Sequence, residues 1–130
     1  MILNLTDLSD EPLQRQISRQ IRAMILAGDL DPGTPLDSIR SLARENHVSV
    51  ITVQRAYESL MHEKLIHSRR GKGFFVSEVP DQKKRSLAVK RLKDKLERPV
   101  NDALAEGLEA DDVNRIVDDI LKERKNDQSV

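Results

Sequence analysis

The strongest constraint on the fold is a glycine-rich basic segment at residues 67–76, with the sequence HSRRGKGFFV. Leu65 and Ile66 precede it, and two phenylalanines and a valine follow its second glycine. A loop that cradles nucleotide phosphates leaves a buried strand and opens a helix. Here strand-forming residues lie on both sides of the glycines, and glycine supplies the positive φ values of a tight turn. The segment therefore predicts a β-hairpin with a basic tip rather than a phosphate loop.

An amphipathic helix and an extended connection are predicted upstream of the hairpin. Apolar side chains recur at spacings of four and three along residues 11–27, and Arg15, Arg19 and Arg22 are expected on the other faces. A proline in the first turn and a glycine just past the end suit such a helix. Residues 28–36 contain two prolines and two glycines, which predicts an extended segment with a turn.

Two short helices separated by a tight turn are predicted directly before the hairpin. The first covers residues 38–45, with Asp37 or Ser38 as its N-cap. The sequence NHVS breaks it, and Ser49 caps a second helix with an apolar repeat at spacings of three and four. The second helix opens with two β-branched aliphatic residues and a threonine, which suit solvent poorly unless a partner covers them.

Beyond residue 80 the sequence predicts a helical tail. One long polar helix covers residues 82–106, Pro99 is expected to kink or split it, and Gly107 ends it. A last helix starts near Asp111. Two amphipathic helices shield only part of each other, so we expect their apolar stripes to form the interface of a homodimer. The interface residues are Leu92, Leu96, Val100, Leu104, Val113, Ile116, Val117 and Ile120.

The charges of the chain sum to zero but are unevenly distributed. Residues 81–98 carry eight basic and three acidic side chains, whereas residues 99–130 carry four basic and nine acidic ones. Residues 40–75 carry seven basic and three acidic side chains, and such a basic block points to local contact with an anionic partner. The absence of cysteine and of a membrane-length apolar run fits a soluble protein of the reducing cytoplasm.

A helix pair followed by a basic hairpin is the arrangement of a winged helix-turn-helix. The second helix can enter the major groove of double-stranded DNA with its amino end at the base edges, while the hairpin, or wing, lies along a minor groove or its phosphates. The predicted fold class is mainly α with a small β-hairpin. It comprises a winged helix-turn-helix domain over residues 10–78 and a two-helix dimerisation tail over residues 79–130. Candidate DNA contacts are Ser38, Arg40, Arg44, Ser49, Val50, Ile51, Thr52, Gln54, Arg55, Arg69, Arg70, Gly71 and Lys72.

The same stretch resembles the DNA-binding domain of the GntR superfamily of bacterial transcription regulators. Typical members read Leu-Pro-Ser-x-Arg-x-Leu-Ala, then Val-Ser/Asn-x-x-Thr-Val-x-x-Ala-Tyr, then Gly-x-Gly-Thr-Phe-Val, and this chain has LDSIRSLA, VSVITVQRAY and GKGFFV. Lys64 stands where members usually carry glycine. The short tail resembles that of the YtrA subfamily, whose members dimerise through two carboxy-terminal helices. The resemblance implies a homodimeric, sequence-specific regulator, more often a repressor, on a palindromic operator.

Other functions find less support in the sequence. The three histidines lack thiol or close carboxylate partners, and no nucleophile has a base and an orienting group beside it, so no metal, cofactor or enzymatic activity is predicted. Two tail helices provide no walls for an enclosed small-molecule site within one subunit. One alternative stays open, namely a winged-helix module that binds proteins without sequence-specific DNA binding. Salt-dependent retention on duplex DNA separates the two.

Overall fold

The computed structural model describes the backbone of residues 1–128 and the side chains of residues 1–126. These residues form five helices and one antiparallel two-stranded sheet, which confirms the predicted fold class. The elements are α1 Leu13–Leu26, α2 Ile39–Asn46, α3 Val50–His62, β1 Ile66–Arg69, β2 Gly73–Val76, α4 Asp81–Ala105 and α5 Ala110–Gln128. The chain divides into two compact units, Met1–Arg85 and Ser86–Val130. The domain boundary inferred from the sequence at residue 78 stays a prediction, and the last two residues of the predicted tail lie outside the described residues.

Two serine hydroxyls determine where the helices of the helix-turn-helix begin. Ser38 Oγ accepts a hydrogen bond from the N–H of Ser41, and Ser49 Oγ accepts one from the N–H of Thr52, each at 3.1 Å. Each bond satisfies one of the backbone donors that a helix start leaves unpaired. α2 ends at Asn46, and the next residue, His47, adopts the left-handed conformation with a φ of 54°. The predicted caps and the tight turn between the helices are therefore confirmed, with Ser38 rather than Asp37 as the first cap.

The core of the first unit lies where α1 and α2 pack on α3. Its members are apolar residues at helical spacings on the inner faces of these helices, together with residues of the strands and their flanks. They are Ile17, Ile21, Ile25, Leu42, Ala43, Val53, Ala56, Tyr57, Leu60, Leu65, Ile66 and Val76. Burial of this set is the main stabilising contribution to the unit.

Arg22, one of the three arginines predicted on faces of α1 other than its apolar stripe, is buried. Its relative exposure is only 7%. Nε donates to Glu63 Oε1 at 3.0 Å and Nη2 donates to Glu63 Oε2 at 2.6 Å, so the pair is bidentate. Helical periodicity does not predict this burial, because it does not show that a carboxylate from the end of α3 meets this position. The ion pair joins α1 to the residue that follows α3.

The chain leaves α3 through a residue in a left-handed conformation. Lys64 has a φ of 62°, and its N–H donates to the carbonyl of Met61 at 2.9 Å. The N–H of Leu65 then donates to the carbonyl of Leu60 at 3.0 Å, as in the common helix ending that favours glycine. This turn directs the chain from α3 into β1.

The wing hairpin is bonded along both edges of its second strand. β1 pairs with β2 in a register that runs from Ile66 opposite Val76 to Arg69 opposite Gly73. On the other edge of β2, the N–H of Leu36 donates to the carbonyl of Phe74 and the N–H of Val76 donates to the carbonyl of Thr34, each at 2.9 Å. The connection predicted as extended therefore also supports the wing.

Tyr57 links α3 to the wing and to the start of α2. Its ring meets the Phe74 ring edge-on, with centroids 4.9 Å apart. Its hydroxyl donates to the backbone carbonyl of Asp37 at 2.7 Å. Burial, with a smaller contribution from the Asp37 charge, raises the pKa of Tyr57, so the hydroxyl keeps its proton at physiological pH.

Side-chain amides hold the first residues of the chain against the helices. Gln16 accepts from the N–H of Thr6 at 3.0 Å and donates to the Thr6 carbonyl at 2.8 Å. Gln20 makes the same pair of bonds to Asn4, both at 2.8 Å. These amides satisfy backbone groups as a neighbouring strand would. No local pattern in the sequence predicts this arrangement.

The tail helices α4 and α5 leave their apolar stripes open to solvent. The described side chains of α4 and α5 include none that is buried. α4 continues through Pro99 as one helix, so this proline does not split it. Proline lacks the N–H that would bond to the carbonyl of residue 95, and Lys95 is exposed to water. Gly107, with a φ of 100°, ends α4 as predicted.

Candidate nucleic-acid interface

The amino end of α3 presents a mixed aliphatic and polar surface to solvent. Val50 and Ile51 are 46% and 56% exposed, and Gln54 and Arg55 are exposed beside them. Val53 lies on the opposite face, fully buried in the core. Helical spacing separates the two faces, because residues 51, 54 and 55 share one side of the helix. The face predicted to meet base edges is therefore exposed.

Three polar side chains on this surface have local partners. Ser49 Oγ and Thr52 Oγ1 lie 2.7 Å apart within the cap of α3, and Thr52 is half-buried. Gln54 Nε2 donates to Glu58 Oε1 at 3.2 Å, one turn further along. The cap bonds hold the Ser49 and Thr52 hydroxyls in place. The longer bond from Gln54 to Glu58 is exposed, and it leaves the side-chain oxygen of Gln54, Oε1, available to accept a hydrogen bond from a base.

Ser38, Arg40 and Arg44 lie on α2 or at its cap, and all three are exposed. α2 packs directly on α3, so these side chains belong to the same helix pair as the α3 surface. Neither guanidinium makes an ion pair or a hydrogen bond within the described residues. Free guanidinium groups on this helix suit contacts with phosphates, which accept bidentate hydrogen bonds from arginine.

The tip of the wing carries the other predicted cations. Arg69, Arg70, Gly71 and Lys72 are all exposed. The N–H of Lys72 donates to the carbonyl of Arg69 at 3.0 Å and closes the turn. Gly71 has a φ of 73°, a conformation that side chains with a branched Cβ resist. The hairpin and its glycine turn are therefore confirmed, and β1 packs against α3.

A second exposed surface runs along the tail. Leu92 and Ile120 are 59% and 57% exposed. On α4 an open groove of about 450 Å³ is lined by Val89, Leu92, Lys93, Leu96, Glu97, Val100 and Asn101. Exposed large apolar side chains at helical spacing are the feature expected of a surface that another chain covers. Of the other predicted interface residues, Leu104, Ile116 and Val117 are exposed, whereas Val113 is half-buried.

Two general properties follow from the described part of the chain. None of its helices combines the length and the apolar character needed to cross a bilayer. Residues 1–126 also bring no three histidine or carboxylate side chains together as metal ligands.

Comparison with known proteins settles the family. Residues 13–76 match the family model described as bacterial regulatory proteins, gntR family. The HTH-type transcriptional regulator YhcF of Bacillus subtilis is 35% identical over 92 residues, which cover 71% of each chain. The chain belongs to the GntR family. The matched residues extend from the start of α1 to the end of β2 and so include every element of the winged helix-turn-helix.

Members of the GntR family are DNA-binding proteins and not enzymes. The similarity of this chain to some members continues through the tail. The HTH-type transcriptional repressor YtrA of Bacillus subtilis is 29% identical over 123 residues, which cover 92% of this chain and 95% of YtrA, in support of a YtrA-like subfamily. A GntR-family regulator from Listeria monocytogenes superposes with a TM-score of 0.74 at 26% identity and covers 88% of this chain and 98% of its own. The AraR DNA-binding domain, solved in complex with operator ORX1, superposes with a TM-score of 0.52 at 26% identity, over 59% of this chain and 95% of its own.

Proposed function

We propose that this GntR-family chain is a sequence-specific repressor of transcription that binds a palindromic operator as a homodimer in the bacterial cytoplasm. The observation that carries the proposal is the exposure of two aliphatic residues, Val50 and Ile51, at the capped amino end of a helix. In solvent alone this exposure is unfavourable, but thymine methyl groups in a major groove would cover both side chains.

The candidate residues divide into base contacts and backbone contacts. Gln54 and Arg55 carry the donors and acceptors that read base edges, and they lie on the outer face of α3 beside the two aliphatic residues. Arg40 in the first turn of α2 and Arg44 in its last turn are free to neutralise phosphates, and Ser38 caps the start of the helix. At the wing, three cations surround Gly71 and would follow a minor groove or its phosphates.

The homodimer is proposed from the exposed stripes of the tail. α4 and α5 leave leucine, isoleucine and valine side chains at helical spacing open to solvent. A second copy of the chain offers a stripe of the same composition, and a two-fold axis would let each stripe cover the other. Such a dimer also presents two copies of α3, which is why a two-fold operator is expected.

The direction of regulation is proposed from similarity. The YtrA protein of Bacillus subtilis, which matches nearly the whole chain, is named a transcriptional repressor. A dimer seated on an operator near a promoter blocks access of other proteins by occupying the same DNA. We therefore propose repression as the outcome of binding.

Footprinting of the full chain on DNA upstream of its own gene tests this function. We expect two protected stretches separated by about one helical turn, and protection that weakens steeply with added salt because phosphate contacts release counterions. Uniform, sequence-independent retention would contradict the operator proposal. Absence of retention on any duplex at low salt would favour a winged-helix module that binds proteins.

A further inference from the structure

Three side chains stack on one side of the wing. His67 and Arg69 share a face of β1 because alternate residues of a strand point the same way, and Phe75 lies opposite His67 on β2. The His67 ring lies 6.0 Å from the Phe75 ring at an interplanar angle of 28°. Cζ of Arg69 lies 5.1 Å from the centre of the Phe75 ring. One aromatic ring therefore contacts both an imidazole and a guanidinium.

This stack is anchored at the base of the wing. His67 Nδ1 lies 2.9 Å from Ser77 Oγ, and this hydrogen bond restrains the imidazole against the Phe75 ring. Phe75 itself is half-buried and lies on a strand that is hydrogen-bonded along both edges. Arg69, by contrast, is exposed. A fixed ring beneath an exposed arginine restricts the conformations that the arginine samples.

We propose that Phe75 is a positioning residue that holds Arg69 ready to contact DNA, a role that rests on the proposed function. An arginine side chain loses rotamer freedom when it binds a phosphate or a groove edge, and an arginine already resting on a ring loses less. Contact with an aromatic ring pairs none of the guanidinium N–H groups with an oxygen acceptor, so these donors stay available to DNA. Arg70 and Lys72 make no such ring contact in the described part of the chain, so the effect is specific to Arg69.

A double-mutant cycle on the full chain tests this role, with a short mixed-sequence duplex as the probe. We expect Phe75→Leu to weaken binding about two- to five-fold, which is the size of an exposed cation–π contact. In the Arg69→Ala background, Phe75→Leu should cause no further loss. Phe75→Tyr keeps the ring and should retain the wild-type affinity. His67→Ala removes the support of the ring and should weaken binding less than Phe75→Leu, again only when Arg69 is present.

Matched controls separate positioning from wing stability. The loss caused by Arg70→Ala should be the same with and without Phe75→Leu, and thermal unfolding without DNA reports any effect on the fold. Equal losses from Phe75→Leu in both backgrounds, or no loss in either, would overturn the positioning role. A wild-type chain that binds no duplex would contradict the proposed function itself. Wild-type binding with an additive cycle would contradict only the role of Phe75.

Discussion

At the scale of single residues, two kinds of DNA contact should be distinguishable by mutation. Gln54→Ala and Arg55→Ala should each cost about 1–3 kcal/mol of specific binding and relax the preference at one operator position per half-site, because each removes a base-edge contact. Binding measurements on operator variants with single base changes provide the check. Both residues are exposed, so neither substitution should change the free energy of unfolding by much.

Arg40→Ala is the matched control for these two substitutions. Arg40 lies on α2, where we place a phosphate contact, so its removal should weaken specific and non-specific duplexes alike. If Gln54→Ala or Arg55→Ala weakened binding to all duplexes equally, that residue would contact the DNA phosphates and not a base edge. If Arg40→Ala changed base preference, the assignment of α2 would be wrong.

At the scale of elements, the pair of Arg22 and Glu63 should stabilise the packing of α1 on α3. Glu63→Gln should lower the free energy of unfolding by about 2 kcal/mol, because it leaves a buried guanidinium without its carboxylate. The loss is smaller than for a fully buried pair since Glu63 keeps 26% of its side-chain exposure. Urea unfolding at one fixed protein concentration measures it.

A second ion pair, between Arg19 of α1 and Glu11 just before that helix, is the control for this prediction. This pair is also bidentate, since Nε of Arg19 donates to Oε2 of Glu11 and Nη2 donates to Oε1, but neither side chain is buried. Glu11→Gln should therefore cost no more than about 0.5 kcal/mol. Equal losses from Glu11→Gln and Glu63→Gln would show that burial of Arg22 contributes nothing to the strength of its pair.

Substitutions that remove a charge from the wing should affect DNA binding, whereas a substitution that strains its turn should affect stability. Arg70→Ala or Lys72→Ala should reduce the slope of log K against log salt by about one for each phosphate that the variant no longer neutralises, with unchanged stability. Gly71→Val should lower stability by about 1 kcal/mol even without DNA, since Gly71 has a φ of 73°. Apart from the glycine and its two chain neighbours, no heavy atom of the described residues lies within 4 Å of an added Cβ there, so the cost comes from the backbone conformation and not from a clash with other residues.

Gly71→Asn is the control for the backbone effect, because asparagine tolerates the left-handed conformation better than valine. It should fold with nearly wild-type stability. If the asparagine and valine variants were equally unstable, the positive φ would not be the cause.

Titration of the chain with ATP or GTP should give no heat of binding. A binding signal that disappears with Lys72→Ala would favour a phosphate loop.

Local signals explain which elements the sequence predicts. Ser38 and Ser49 precede apolar repeats, and the two glycines of residues 67–76 separate strand-forming flanks, so each signal lies within a few residues of the structure that it specifies. The burial of Arg22 could not be predicted from the local pattern because its partner lies 41 residues away. The support that residues 33–36 give to β2 depends likewise on a contact that no local pattern encodes.

The candidate DNA interface likewise combines features that local sequence signals predict with features that depend on distant contacts. Family motifs and helix spacing identify the exposed face of α3 and the cations of the wing. The contact of Arg69 with Phe75 depends on the strand register, which places His67 opposite Phe75. Alternation along the two strands could have indicated a shared face, but the hairpin register was needed to pair the residues.

At the scale of the whole molecule, the tail should hold two chains together. Ile116 is 47% exposed on the apolar stripe of α5. Ile116→Asp should produce a monomer, because a carboxylate in a dry interface costs several kcal/mol. Sedimentation velocity measures the change. Asn114→Asp adds the same charge to an exposed position beside the stripe and should leave the dimer intact. A dimer that persists in the Ile116→Asp variant would place the interface elsewhere.

Two copies of this chain should read a two-fold DNA sequence through α3 and the wing. Selection of binding sites from a pool of random duplexes, with the full chain at near-physiological salt, tests it most directly. We predict enrichment of two inverted half-sites whose centres lie about 10 base pairs, or a multiple of that distance, apart. A pool with no enriched sequence, or with only single asymmetric sites, would contradict the claim.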